Sequence, residues 1–308
     1  MFELREILLR AKNEQASDIH LAVGIPPKMR IDGKLVTMNY PRLLPTDTLE
    51  VLLTVMNEQQ RDKFDETGEF DLTFATPEFG RYRVSAYKQR GTVSLALRPV
   101  PDKLPQVDSL GIPEEVMELA QLEQGLVLIV GIGGSGRTTT QAVLVDRINQ
   151  TREVHVITLE DPIEFVHHHQ IAMVSQREIG TDTSSVSSAI KAAMREDPDV
   201  IMIGDLNNKE VATGVMSAAG AGCMVLTAMY GSGTVDALEN LVGLYPPAEQ
   251  SRARNRLADV LVAVIFQKMS KPVDGQPRSV RYEILKSNHE IRKRIRAGKF
   301  QEILDLEL

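Results

Sequence analysis

The sequence predicts an α/β core on a parallel sheet, preceded by a smaller α+β domain. Two textures and the boundary between them carry that reading. From residue 126 onward, apolar runs alternate with helical stretches: Leu126–Val130, Val154–Leu159, Val200–Ile203, Met224–Met229 and Leu261–Phe266. Such runs, rich in aliphatic residues and separated by helices, imply a parallel sheet covered on both faces. Upstream, shorter segments alternate polar and apolar residues, as strands with one wet face do. Between the two, Pro99–Pro105 carries three prolines and reads as a linker. The expected division is a first domain over residues 1–98, a linker over 99–112, and a core with a C-terminal helical segment over 113–308.

In the first domain, residues 1–12 place Leu4, Ile7, Leu8 and Leu9 as the apolar positions of an amphipathic helix. Met29–Ile31 and Lys34–Met38 are strand-like and flank Asp32-Gly33, a strong hairpin signal. Thr46–Phe64 has helical spacing of Leu49, Leu52, Leu53, Val55 and Met56. Phe70–Phe74 and Tyr82–Arg98 alternate like strands, with a turn at Arg90-Gly91. No internal repeat or low-complexity segment is present.

Composition excludes several classes. The chain has 308 residues, 43% hydrophobic and 25% charged, with a net charge of −7. An acidic balance argues against bulk binding to nucleic acid or an anionic membrane. A single cysteine, Cys223, allows no intramolecular disulfide and fits a reducing compartment. No apolar run reaches the roughly 18 residues that span a bilayer. The N-terminus, with Glu3, Arg5 and Arg10 among apolar residues, reads as a helix and not a signal peptide. The expectation is a cytoplasmic protein without direct membrane insertion.

The chemistry centres on one loop. Leu126–Val130 runs into Gly131-Ile-Gly-Gly-Ser-Gly-Arg-Thr138 and then a helix over Thr139–Asn149. Strand, glycine-rich loop, helix is the context a phosphate-binding P-loop needs. Gly131, Gly133, Gly134 and Gly136 let the backbone aim successive N–H groups at phosphate oxygens, with Ser135, Arg137, Thr138 and Thr139 completing the candidate site. The helix N-terminus adds its positive end, and the Thr138 hydroxyl is a candidate Mg²⁺ ligand. Arg137 stands where the pattern has lysine. It keeps the charge but is a wide, planar fork instead of a compact ammonium.

Further motifs lie along the whole chain: Ala16-Ser-Asp-Ile-His-Leu21, Ile25-Pro-Pro-Lys-Met-Arg30, Leu159-Glu-Asp-Pro-Ile-Glu-Phe165, Ser175-Gln-Arg-Glu178, Ala193-Met-Arg-Glu-Asp-Pro-Asp-Val200 and Arg296-Ala-Gly-Lys299. In this order they resemble the PilT-like twitching-motility ATPases and their relatives in type IV pilus and type II secretion systems. The resemblance implies a PAS-like N-terminal domain, a RecA-like P-loop core and a homohexameric ring. It also implies ATP/ADP and Mg²⁺ as ligands, and an inner-membrane pilus platform protein as partner.

The resemblance also assigns roles. Glu160, with Asp161 and Glu164, matches the acidic box; a carboxylate at a parallel strand's C-terminal end can orient attacking water. Val200–Gly204 reads as the Walker B strand, and Asp205 takes the place of the family glutamate as a Mg²⁺ ligand through water. Tyr230 stands at the histidine-box position, and Asn207 replaces an arginine. Arg83 and Arg98, in phase with Arg81 on the hairpin before the linker, are candidate fingers for the γ-phosphate. His167-His168-His169 reads as a surface tract, His20 as structural and Cys223 as a small core residue. Glu290–Ile295 carries charges where the family's retraction element is apolar or neutral. The reading is a nucleotide-binding subunit of a type IV pilus or secretion motor with weakened hydrolysis, peripheral at the inner membrane through partners. The alternative is a pseudo-ATPase that shares a mixed ring with an active paralogue.

Overall fold

The computed structural model describes residues 3–101, 104, 110–270 and 279–306. The chain divides into two compact units, Met1–Asp102 and Lys103–Leu308. Half of the expected linker, residues 102–103 and 105–109, lies outside the described residues.

The first unit opens with α1 (Leu4–Asn13), whose Ile7, Leu8 and Ala11 are buried. Strands β1 (Asp18–Leu21), β2 (Lys28–Ile31) and β3 (Lys34–Thr37) follow, then helices α2 (Pro45–Val55) and α3 (Glu58–Thr67). Strands β4 (Glu69–Thr76), β5 (Gly80–Gln89) and β6 (Thr92–Pro99) complete it. The six strands form one antiparallel sheet in the order β3-β2-β1-β6-β5-β4. Both expected hairpin turns are present: Asp32 and Gly33, and Arg90 and Gly91, all take positive φ, as two-residue hairpin loops require.

The helical spacing over Thr46–Phe64 resolves into two helices. Asn57 breaks the run: its side chain accepts from the Gln60 N–H at 2.9 Å, and the Gln60 side chain accepts from the Asn57 N–H at 3.0 Å. This capping box starts α3 and turns Phe64 into the core. Asn57→Ala is expected to cost about 0.5–2 kcal/mol, read as a lower urea midpoint; an unchanged midpoint would show the cap to be dispensable.

In the second unit, α4 (Glu114–Met117) leads into a seven-stranded sheet. Its parallel strands are β7 (Gly125–Val130), β8 (His155–Glu160), β9 (Met173–Glu178), β10 (Val200–Asp205), β11 (Met224–Met229) and β12 (Leu261–Met269). The antiparallel β13 (Val280–Lys286) closes one edge, in the order β13-β12-β7-β11-β10-β8-β9. The helices are α5 (Arg137–Thr151), α6 (Val186–Ala193), α7 (Lys209–Gly220), α8 (Thr234–Gly243), α9 (Pro247–Val260) and α10 (His289–Ala297). Apolar clusters cover both faces of the sheet, as the continuous runs predict: Leu126 and Leu128 pack into one, Val127 and Ile129 into the other. The edge strands β9 and β13 escaped the sequence reading. Edge strands are only partly covered, so Ser175-Gln176-Arg177 and Arg281–Glu283 lack an apolar run.

Candidate phosphate-binding site

Four adjacent parallel strands, β7, β11, β10 and β8, end at the same edge of the sheet. In such sheets ligands bind outside the carboxyl ends of the strands. The P-loop follows β7, Tyr230 follows β11, and Asp205 and Glu160 end β10 and β8. Groups far apart in sequence thus share one edge.

The loop's shape has local causes. Gly134 and Gly136 have φ of 74° and 92°, a region costly for residues with a side chain. At Gly131 the constraint is space: a Cβ there would lie 2.3 Å from Ser135 Oγ and 2.6 Å from the Gln267 carbonyl oxygen. Gln267, on β12, is buried and donates from Nε2 to the Ser135 carbonyl at 2.7 Å, pinning the loop to the sheet. Gln267 is the functional residue the sequence reading missed. Its signal was a glutamine in inward phase at the end of the apolar run Leu261–Phe266. Gln141 on α5 adds a second tie, donating to the Ile203 carbonyl of β10 at 2.9 Å.

The loop fits a phosphate group. Ser135 Oγ is buried without a partner, and α5 has no acid in its first turn to compete with an anion. The first N–H groups of a helix lack intrahelical acceptors. Thr138 and Thr139 are half-buried on that turn.

Arg137 is already engaged. Its Nη1 lies 3.2 Å from Asp205 Oδ1, and its guanidinium carbon sits 3.9 Å from the centroid of the Tyr230 ring. Only 10% of the arginine side chain is exposed, against 50% for Asp205. Tyr230 reaches back over the loop, so that a Cβ on Gly133 would touch its Cε1 at 4.0 Å. A half-exposed ion pair contributes about 1 kcal/mol at most. A shielded cation–π contact contributes a similar or larger amount, about 0.5–2 kcal/mol. Neither dominates; together they hold the guanidinium. The three departures that the sequence places at one site, at positions 137, 205 and 230, are in direct contact.

This cluster bears on the expected Mg²⁺. Thr138 and Asp205 were its expected ligands, but the Asp205 carboxylate faces a guanidinium. Among the described residues no group of three or more His, Cys, Asp or Glu could hold a metal ion. A divalent cation placed as the sequence suggested would compete with that guanidinium for the carboxylate.

Glu160 is 5% exposed. Burial pushes its carboxyl above the usual range, while hydrogen bonds from Thr158 Oγ1 (2.6 Å) and Gln176 Nε2 (3.0 Å) pull it back. Because the folded state prefers the protonated acid, this group's contribution to stability is complete at low pH and is lost as pH rises through the raised value. Glu160→Gln is expected to flatten the fall of Tm as pH rises above the usual carboxylate range. A fall as steep as in the parent would show that burial does not perturb the carboxyl.

Other expected residues are placed as follows. Arg83 and Arg98 face each other in the β5–β6 register of the first unit, and both are exposed. Arg98 is tied to Asp18 through Nε and Nη2, at 2.8 and 2.7 Å. Asp161 is exposed and Glu164 half-buried. Asn208 caps α7 by accepting from the Val211 N–H, and its own amide donates to Asn207. The histidine tract is not uniformly on the surface. His168 and His169 are exposed, but His167 is buried, and burial lowers its pKa to about 4. Cys223 is buried as a small core residue. Within α10, Ile291 and Ile295 supply the buried face, while Arg294 pairs with Glu290 at 2.7 Å.

The type II/IV secretion system protein family matches residues 3–299. The chain belongs to this family. Among relatives of the type II/IV secretion family, it is 34% identical to the type IV pilus retraction ATPase PilT of Pseudomonas aeruginosa, over 98% of this chain and 87% of that one. It is also 34% identical to the type IV pilus ATPase PilU of the same organism, over 98% and 79%. A crystal structure of the pilus retraction motor PilT with bound ADP superposes with a TM-score of 0.93 at 39% identity, covering 100% of this chain and 90% of that one. The family's α/β core with an antiparallel N-terminal domain is therefore present throughout. Among the described residues, no helix is long and apolar enough to cross a membrane.

Proposed function

We propose that this chain is a nucleotide-binding subunit of a type IV pilus or secretion motor whose ATP hydrolysis is intrinsically slow. One observation carries the reading: Arg137 is bound by Asp205 and Tyr230 at the mouth of an otherwise well-formed phosphate loop. The backbone amides of residues 133–138, Ser135 Oγ and the Thr138 and Thr139 hydroxyls would hold the phosphates. Glu160, buried and with a raised pKa, would orient or deprotonate the attacking water. Arg83 and Arg98 would approach the γ-phosphate within a hexameric ring, which requires Arg98 to leave Asp18. ATP and ADP are the ligands, and an inner-membrane pilus platform protein is the partner that would bring the chain to the membrane.

The engaged Arg137, together with the occurrence of two relatives, PilT and PilU, in one organism, supports a second reading, a subunit that assembles with an active paralogue and hydrolyses no ATP itself. Steady-state phosphate release distinguishes them. The first reading expects turnover below about 0.1 s⁻¹, against a median near 10 s⁻¹ for enzymes in general, and its loss in Glu160→Gln. No turnover above that of Glu160→Gln favours the second reading. Turnover at the general median, abolished by Glu160→Gln, would overturn both.

A further inference from the structure

We infer that Arg137, clamped by Asp205 and Tyr230, is a built-in counter-charge, so that this loop binds the phosphates of a nucleoside di- or triphosphate without a divalent cation. The inference rests on the nucleotide-binding reading and deepens it.

The usual task of a cation beside a phosphate loop is to place positive charge against phosphate oxygens while anchored by a carboxylate. In this chain the anchoring carboxylate, Asp205, already holds a cation that is part of the protein, 3.2 Å away. A metal ion bound there would have to displace the guanidinium or lie beside it, one positive charge next to another. The neighbouring acid, Glu160 at the end of β8, is buried and accepts from Thr158 and Gln176.

The arginine is suited to the substitution. It is always charged, and its fork has five N–H donors. One of its nitrogens serves Asp205 in the structure, which leaves further donors for phosphate oxygens. Bidentate arginine–phosphate pairing is strong and directional. Lysine at this position would offer a single point charge in place of the planar fork.

Tyr230 is the positioning residue. Its ring lies against one face of the guanidinium at 3.9 Å. A ring on that face restricts the side-chain motion by which Arg137 could leave Asp205. The ring, not the hydroxyl, does this, so Tyr230→Phe should behave as the parent. Tyr230 is 60% exposed, and its replacement threatens no core packing.

The test is a titration of the intact chain with fluorescent ADP and ATP analogues, in excess Mg²⁺ and in excess EDTA. The parent and Tyr230→Phe are expected to bind with dissociation constants equal within about threefold in the two buffers. The triple variant R137K/D205E/Y230H, which restores the family residues, is expected to bind at least about tenfold tighter with Mg²⁺. Tyr230→Ala is expected to fall between them. Binding by the parent that is at least about tenfold tighter with Mg²⁺ overturns the inference and leaves the nucleotide-binding reading standing. Absence of saturable binding in both buffers overturns the two together. The ratio between buffers is a readout that a merely structural loss would not shift.

Discussion

R137K/D205E/Y230H is expected to raise ATP turnover by at least about tenfold, while R137K alone changes it by less than about threefold. The asymmetry follows from contact. Residues that touch are not independent, and their substitutions do not add. In R137K the ammonium inherits Asp205 as its partner, and Tyr230 still lies over Gly133. The carboxylate remains one methylene shorter than the family glutamate, and ångström-scale misplacement can cost about a hundredfold in rate. Only the joint change removes the stack, lengthens the acid and frees it. Phosphate-release assays of the parent, the three single variants and the triple decide the matter. Recovery of most of the rate by R137K alone would show that the three residues do not act as a unit.

Gly131→Ala is expected to destabilise the protein by about 1–3 kcal/mol and to abolish nucleotide binding, because overpacking forces backbone shifts. The new methyl would meet the Gln267 carbonyl oxygen at 2.6 Å. That atom is backbone within β12, and it cannot swing aside as a side chain does. The Ser135 hydroxyl, at 2.3 Å, would also be driven from its buried position. Gly133→Ala is the control. Its nearest neighbour is Tyr230 Cε1 at 4.0 Å, so its stability should stay within about 0.5 kcal/mol of the parent. Chemical denaturation of both variants, with the fluorescent titration alongside, reads the contrast. Equal stabilities would mean that the loop moves away from β12 without cost.

Much of this architecture was legible in the sequence because its signals are local. Continuous runs such as Leu126–Val130 mark strands buried on both faces, and Asp32-Gly33 marks a turn by its backbone freedom alone. Gly134 and Gly136 mark the turn of the cradle because glycine's conformational range is intrinsic to the residue. Reading failed where the deciding contact was distant. β9 and β13 are strands only because neighbours pair with them. His167 is adjacent in sequence to two exposed histidines, and only the packing of its loop buries it. Gln267 belongs to the phosphate loop through one hydrogen bond that spans 132 positions.

The sequence by itself determined the family, the two-domain order, the loop and the identities of its unusual residues, since composition and motif spacing need no knowledge of contacts. It assigned Arg137, Asp205 and Tyr230 to one site as departures from the family pattern. Only the tertiary structure decided that they touch, because parallel pairing of β7, β11 and β10 brings three remote strand ends to a single edge, where a guanidinium can reach both a carboxylate and a ring.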